Sequence, residues 1–473
     1  MHVQHEEFKE IHVSSDGTVK LKGQEIAYRV VSEDYVIEID GKLAGTVFTY
    51  SYFRTNCDNK EARPIIFAWN GGPCASCLWL HMGFLGPFRA IFQETQFTSP
   101  VAPFESEPNP HWLLDDYDIV LMEPIGSGYG RLLAPEMSDH IFGVDEDAAI
   151  FTEVIHEWLE KYARFGSPKY LLGESYGTIR AAVVADQISG GLMGNSKKYY
   201  GINFDGVILM GSAIGTGNGL LEFPATERSV LDFPTMAALN HYHYRNDKPP
   251  LIDFVEQAQE FAESEYLLCL QQGNRIDSSR RQSLIEKLTY FTGLPEDYIA
   301  GKPFLRLTIE DSKKHLLPGM WIDSNEGRFT MPVQTVASDP MRDNSAMAGF
   351  VPALVGLMQT RGKKELGIAE SRRYQTVYLG EDGNSPVEYK ELSWRSAIDC
   401  LTAVMRRNAK FRVMFASGWY DPATIASGVR YLLAHSNLPS ERVTVKEYTA
   451  GHMIYINERS AAQLEQDIRT FIG

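Results

Sequence analysis

Residues 169–188, KYLLGESYGTIRAAVVADQI, decide how this chain is read. An apolar run ends at Leu172, Gly173-Glu174-Ser175-Tyr176-Gly177 follows, and a helical pattern begins. The spacing predicts strand, tight turn and helix. A G-x-S-x-G in that setting puts the serine on a strained turn and throws its hydroxyl out at the carboxyl end of a sheet. The helix N-terminus behind it favours negative charge. On an ordinary surface turn the same five residues would carry no chemistry. The strand before and the helix after separate the two readings.

A serine hydroxyl needs a base, and the base needs an orienting carboxylate. FRVMFASGWYDPAT (411–424) ends a second apolar strand and delivers Asp421. RVTVKEYTAGHMIYINERSAAQL (442–464) ends a third and delivers His452, ahead of a C-terminal helix marked by Leu464, Ile468, Phe471 and Ile472. Alone, Asp421 reads as a turn or cap carboxylate and His452 as a core histidine. Both, however, lie just past strand ends, where functional side chains of open sheets collect. The order Ser175, Asp421, His452 is that of an α/β-hydrolase triad. His241 and His243 in HYHYR lack a third ligand and read as pocket or surface residues, so no metal is expected.

Further apolar runs, PIIFAW (64–69), YDIVLM (117–122) and FDGVILMG (204–211), alternate with helical patterns. One such pattern covers 145–163, with Ile150, Phe151, Val154, Ile155, Trp158, Leu159 and Tyr162 on one face. Strands alternating with helices predict an α/β protein with a mainly parallel central sheet. Before it, Ile37 and Ile39 alternate with Glu38 and Asp40, and Asp40-Gly41 offers a hairpin turn, giving an N-terminal β-hairpin region. Residues 235–345 break the rhythm with helical segments such as DFVEQAQEFAESEYLLCLQQ. The expectation is an α/β-hydrolase core at 1–234, including a β region at 1–60, a helical cap insertion at 235–345, and the rest of the core at 346–473.

The 473 residues are 44% hydrophobic and 22% charged, an ordinary globular composition. The net charge of −16 disfavours nucleic acid or an anionic membrane as partner. The start, MHVQHEEFKEIHVSS, lacks the pattern of a secretory signal, and no run approaches a membrane span. Five cysteines are few and odd in number, which fits a reducing compartment. The expected location is cytoplasmic, or secreted if a leader has been removed. The glycine-rich GSGYG (126–130) and GTGNG (215–219) match no dinucleotide fingerprint and read as substrate-side loops, with no cofactor implied.

N-G-G-P (70–73), L-G-P (85–87), P-x-G-x-G-Y (124–129), GESYG, the late G-x-x-D and the terminal G-H resemble the serine carboxypeptidase family, in particular its bacterial branch. That branch is suggested by LWLHMG-x-LGP, GESYGT and G-R-F (327–329). The resemblance implies a serine carboxypeptidase acting on peptides with a free C-terminus through an acyl-enzyme, in an arrangement that leaves a homodimer open. Ser175 would be the nucleophile, His452 the general base and acid, and Asp421 its orienter. Gly72 and Tyr176 would supply the oxyanion-hole amides. Asn70, Gly71 and Glu174 would grip the substrate carboxylate, with Glu174 protonated so that it can donate.

Two positions depart from that pattern. Eukaryotic members carry a second glutamate before L-G-P, and here Phe84 stands there. They carry a tryptophan where this chain has Ala68. Glu123 is a candidate substitute partner for Glu174. An esterase or acyltransferase on the same triad is the alternative. Cys74 replaces a usual glycine after N-G-G-P and forms C-x-x-C with Cys77. Pro73 suits a helix start, which would place Cys74 at a helix N-terminus, where thiol pKa values fall, and would open the possibility of an oxidation switch.

Overall fold

The computed structural model describes residues 8–92, 102–190, 197–215, 225–244, 248–333, 345–369, 371–380, 387, 389–392 and 395–473. Three antiparallel strands, β1 (His12–Leu21), β2 (Gln24–Ile39) and β3 (Lys42–Arg54), open the chain. Asp40 (φ 51°) and Gly41 (φ 72°) both take the positive φ that a two-residue hairpin turn requires. The apolar runs form β4 (Ile65–Trp69), β5 (Asp118–Glu123), β6 (Lys169–Glu174), β7 (Gly206–Met210), β8 (Arg412–Gly418) and β9 (Val443–Tyr448). The sheet order is β1-β2-β3-β5-β4-β6-β7-β8-β9. β3 meets β5 antiparallel, and every pairing from β5 to β9 is parallel.

Strands β4 to β7 are buried at every residue, which is why their sequences read as continuous apolar runs rather than alternating ones. One face of the sheet is covered by α1 (Val144–Lys161) and α2 (Tyr176–Ser189), through residues such as Phe151, Trp158, Ile179 and Val183. The C-terminal helix Glu458–Ile472 covers the other face through Leu464, Ile468 and Phe471. β4 lies between β5 and β6, so the strand order reverses there. The crevice beyond the carboxyl ends of β4 and β6 is therefore a topological switch point, the usual ligand position of open α/β sheets.

Helix α3 (Ala225–His243) runs through the anticipated border at 234/235, with Pro234 inside it. Phe233, Met236, Ala237 and Leu239 on both sides of that proline share one buried cluster, so the apolar face carries the helix across. Phe254, Phe261, Leu288 and Phe291 complete the cluster, which also takes in Trp419 and Tyr420 from the core. A short hairpin, Met320–Ile322 with Thr330–Pro332, closes the segment and was not foreseen from the sequence. Of GTGNG, residues 216–219 lie outside the described residues.

Arg180 on α2 ties these layers together. Its buried guanidinium pairs with Asp147 of α1 through Nε (2.6 Å) and Nη2 (3.2 Å) and donates to the carbonyls of Asn70 and Pro73, each at 3.0 Å. Removing one partner of such a pair leaves a buried charge uncompensated. Arg180→Met is expected to lower the unfolding free energy by about 3–5 kcal/mol in a denaturant titration. Adding Asp147→Asn should recover part of that loss.

Candidate active site

Ser175 sits between β6 and α2 with φ 59° and ψ −129°, a region a non-glycine residue enters only when its surroundings enforce it. Its amide donates to the Met210 carbonyl at 2.9 Å, and its carbonyl accepts from Thr178 N (2.9 Å) and Thr178 Oγ1 (2.7 Å). A side chain on Gly173 would overlap the Gly177 carbonyl. Trp69 donates its indole N–H to that same carbonyl at 2.8 Å. The turn is thus clamped by the neighbouring strands.

Residues 70–73 leave β4 and pass directly over this turn. A methyl on Gly71 would lie 2.5 Å from Tyr176 N and 2.9 Å from Ser175 Cβ. Gly72 has φ 108°, which excludes a larger residue. Among the described residues, neither the Gly72 nor the Tyr176 amide has a protein acceptor. Two unpaired backbone donors are thus available here, one directly after Ser175 and one directly after the Gly71 contact.

His452 and Asp421 meet as the sequence suggests. The imidazole Nδ1 lies 2.8 Å from Asp421 Oδ2, both groups are buried, and this bond leaves the Nε2 lone pair available. Asp421 also accepts from the amides of Ala423 and Thr424, each at 2.9 Å, and from the Thr424 hydroxyl. Burial disfavours the imidazolium, but the Asp421 charge and hydrogen bond outweigh it and raise the His452 pKa, so Nε2 can accept a proton only in the fraction of protein whose ring is neutral. Gly211 makes room for the ring: a side chain there would lie 2.8 Å from Nδ1. Ser175 and His452 therefore converge on the end of β7, although no hydrogen bond joins the serine hydroxyl to the ring among the described residues. Such bonds often tighten only when substrate arrives.

Glu174 is buried behind Ser175, and burial pushes its pKa up to about 7. Asn70 Nδ2 donates to its Oε2 at 2.5 Å, so the sequence-predicted pair is in contact. Its other partner is Tyr455, whose hydroxyl donates at 3.0 and 3.2 Å. Phe84, in the place of the second carboxyl, stacks on Tyr455 with ring centroids 5.8 Å apart. Glu123 does not substitute. It is buried elsewhere, accepting from Tyr50 (3.0 Å), Tyr374 (2.6 Å), Cys77 (3.4 Å) and the amide of Tyr129 (2.8 Å).

The loop Asp323–Phe329 reaches from the insertion to both triad loops. Asn325 O accepts from His452 N (2.7 Å), Glu326 Oε2 from Gly451 N (3.1 Å), and Tyr420 O from Gly327 N (2.8 Å). Arg328 bonds both Glu326 oxygens, at 2.8 and 2.6 Å. Sequence reading missed Thr424, Tyr455 and Glu326. Only Thr424 left a signal, standing three residues after Asp421, as a hydroxyl in a local carboxylate turn does.

Several expectations need correcting. The first helix after Pro73 starts at Leu78, so Cys74 is not at a helix N-terminus. Burial pushes its thiol up to about 12, and Cys77 is raised as well. Cys74 packs into the core on one face of the sheet and Cys77 into the core on the other. The two side chains therefore face away from each other, which argues against the oxidation switch. GSGYG is not a substrate-side loop. It is buried throughout and wraps the Glu123 carboxylate, which a side chain on Gly128 would overlap. His241 and His243 bond the carbonyls of Pro249 and Gly327, each at 2.9 Å, and no metal-holding cluster occurs among the described residues.

A parallel sheet with helices on both faces, a serine on a strained strand-to-helix turn, and an acid and a histidine past later strands define an α/β-hydrolase. The sequence model described as "Serine carboxypeptidase" matches residues 35–290, and the chain belongs to that family. It is 25% identical over 199 residues to serine carboxypeptidase ctsa-3.1 of Caenorhabditis elegans, across 41% of this chain and 31% of that protein. The match thus spans about a third of the relative's length. The fold is similar to that of a prohormone-processing carboxypeptidase from Saccharomyces cerevisiae, with a TM-score of 0.55 and 11% identity over 94% of this chain and 91% of that one.

The close passage of residue 71 gives a direct test of the site. Gly71→Ala is expected to push the loop off the turn, lower kcat by about 10²–10³, the cost of one oxyanion donor, and lower the melting temperature as well, because backbone must move to admit the methyl. Steady-state kinetics together with a thermal melt would check it.

Proposed function

We propose that this protein is a serine carboxypeptidase that removes C-terminal residues from peptides. The observation that carries the reading is the Asp421–His452 hydrogen bond set beside the Ser175 turn, with two unpaired amides available there. In the proposed cycle His452 Nε2 takes the Ser175 proton as Oγ attacks the peptide carbonyl. The Gly72 and Tyr176 amides hold the oxyanion, and the imidazolium protonates the leaving amine. Water then attacks the acyl-enzyme by the same proton path and frees the shortened peptide.

The carboxylate grip is assigned to Asn70, Gly71 and Glu174. A protonated Glu174 can donate to the substrate carboxylate, whereas an ionised one repels it. Burial holds the Glu174 pKa at about 7, so the preference for a free C-terminus should be strong below that pH and fade above it. One observation favours an esterase or acyltransferase instead: Asn70 and Glu174 are 6% and 2% exposed and already bonded to each other. The substrate class is peptides, and the net charge of −16 speaks against nucleic acid. Among the described residues no helix is long and apolar enough to cross a membrane. Five free thiols support the proposal of a reducing, cytoplasmic location.

Ser175→Ala is expected to abolish turnover and fluorophosphonate labelling. Peptides with a free C-terminus should be cleaved much faster than their amides at acidic pH. Equal rates on both would overturn the exopeptidase assignment, and turnover of simple esters without peptide cleavage would establish the alternative.

A further inference from the structure

Tyr455 lies in the short helical turn Ile454–Ile456, three residues past His452, and is 1% exposed. Its ring is held by stacking on Phe84 and by close passage over Gly83, where a side chain would lie 2.5 Å from the ring. The hydroxyl can therefore reach only a narrow set of positions, and it bonds both oxygens of Glu174. Asn70 is fixed as well: its Oδ1 accepts from Leu80 N at 3.1 Å, which leaves Nδ2 as the group donating to Glu174.

Glu174 thus faces two donors, a set that suits an ionised carboxylate. An incoming C-terminal carboxylate is itself an acceptor and needs the protonated form. A phenol hydroxyl both donates and accepts, so Tyr455 can serve either state, but only its donation stabilises the anion.

We propose that Tyr455 is a positioning residue for carboxylate recognition: its hydroxyl competes with the substrate's C-terminus for Glu174 and so sets the pH above which free C-termini are no longer gripped. The proposal rests on the carboxypeptidase reading. The other groups acting on Glu174 are the His452 charge, which favours the anion, Asp421, which opposes it, and the Asn70 amide. All three remain when only the Tyr455 hydroxyl is removed.

The test uses Ser175→Ala protein and measures the affinity of a short product-like peptide, as free acid and as amide, from acidic to mildly alkaline pH. Free-acid affinity should fall tenfold per pH unit above a midpoint, while the amide stays flat. Tyr455→Phe should move that midpoint up by about one pH unit, so that above it the variant binds the free acid about tenfold more tightly. An unmoved midpoint, with free-acid preference retained, would overturn the role of Tyr455. No preference for the free acid at any pH would instead overturn the carboxypeptidase reading. Glu174→Gln should flatten the free-acid profile; a slope that survives would assign the titration to His452 and sink the proposal. If Tyr455→Phe does not fold, Phe84→Leu keeps the hydroxyl but loosens the ring. It should give a smaller shift in the same direction, and no shift or a downward one would count against the proposal.

Discussion

The structure depends on one close approach: the Asn70–Pro73 backbone lies against the turn that carries Ser175. No side chain fits between them at residue 71, so there the Gly71 backbone lies directly against the turn, with the Asn70–Glu174 hydrogen bond beside it. This contact needs β4 and β6 to be neighbours, and the reversal of strand order makes them so. It also needs a tether, because the loop has little side-chain surface of its own. Arg180 supplies it by bonding the carbonyls of Asn70 and Pro73 while its charge is balanced by Asp147. The fold and the chemistry are therefore not separable here. The same backbone that closes the sheet's crevice presents the unpaired Gly72 amide.

Three buried carboxyl groups show how environment sets chemistry. Asp421 gathers two amides, a hydroxyl and the imidazole, which fix its orientation against His452. Glu174 has an amide and a phenol, and burial still holds its pKa near neutrality. Glu123 accepts from two phenols, a thiol and an amide, and it too is raised to about 7 by burial. The first sits against the histidine, the second behind the serine, and the third organises a buried loop.

Most of the sheet was legible in the sequence because strands buried on both faces can only be apolar runs. Ser175 and Asp421 were legible because each follows such a run within a few residues, whereas His452 follows β9, an edge strand that is only partly buried. What could not be read were contacts between segments far apart in the chain. Tyr455 and Glu174 are separated by 281 positions, and nothing near either residue announces the other. The two cysteines misled for a related reason. Their spacing suggests a pair, but the backbone between them crosses from one face of the sheet to the other. The border at 234/235 falls inside α3, where the apolar face on both sides of Pro234 keeps the helix continuous.

The loop Asp323–Phe329 bears on how far this architecture is modular. The insertion looks like an appendage that could be exchanged to alter which side chains a substrate presents. Yet its loop is wedged between the residue preceding Asp421 and the residue preceding His452, joined to each by hydrogen bonds. A transplanted segment would carry its own loop into that wedge and reset the spacing of Asp421 and His452. Exchange of this segment is thus coupled to the core through Asn325, Glu326 and Gly327, and only its outer helices are free of that link.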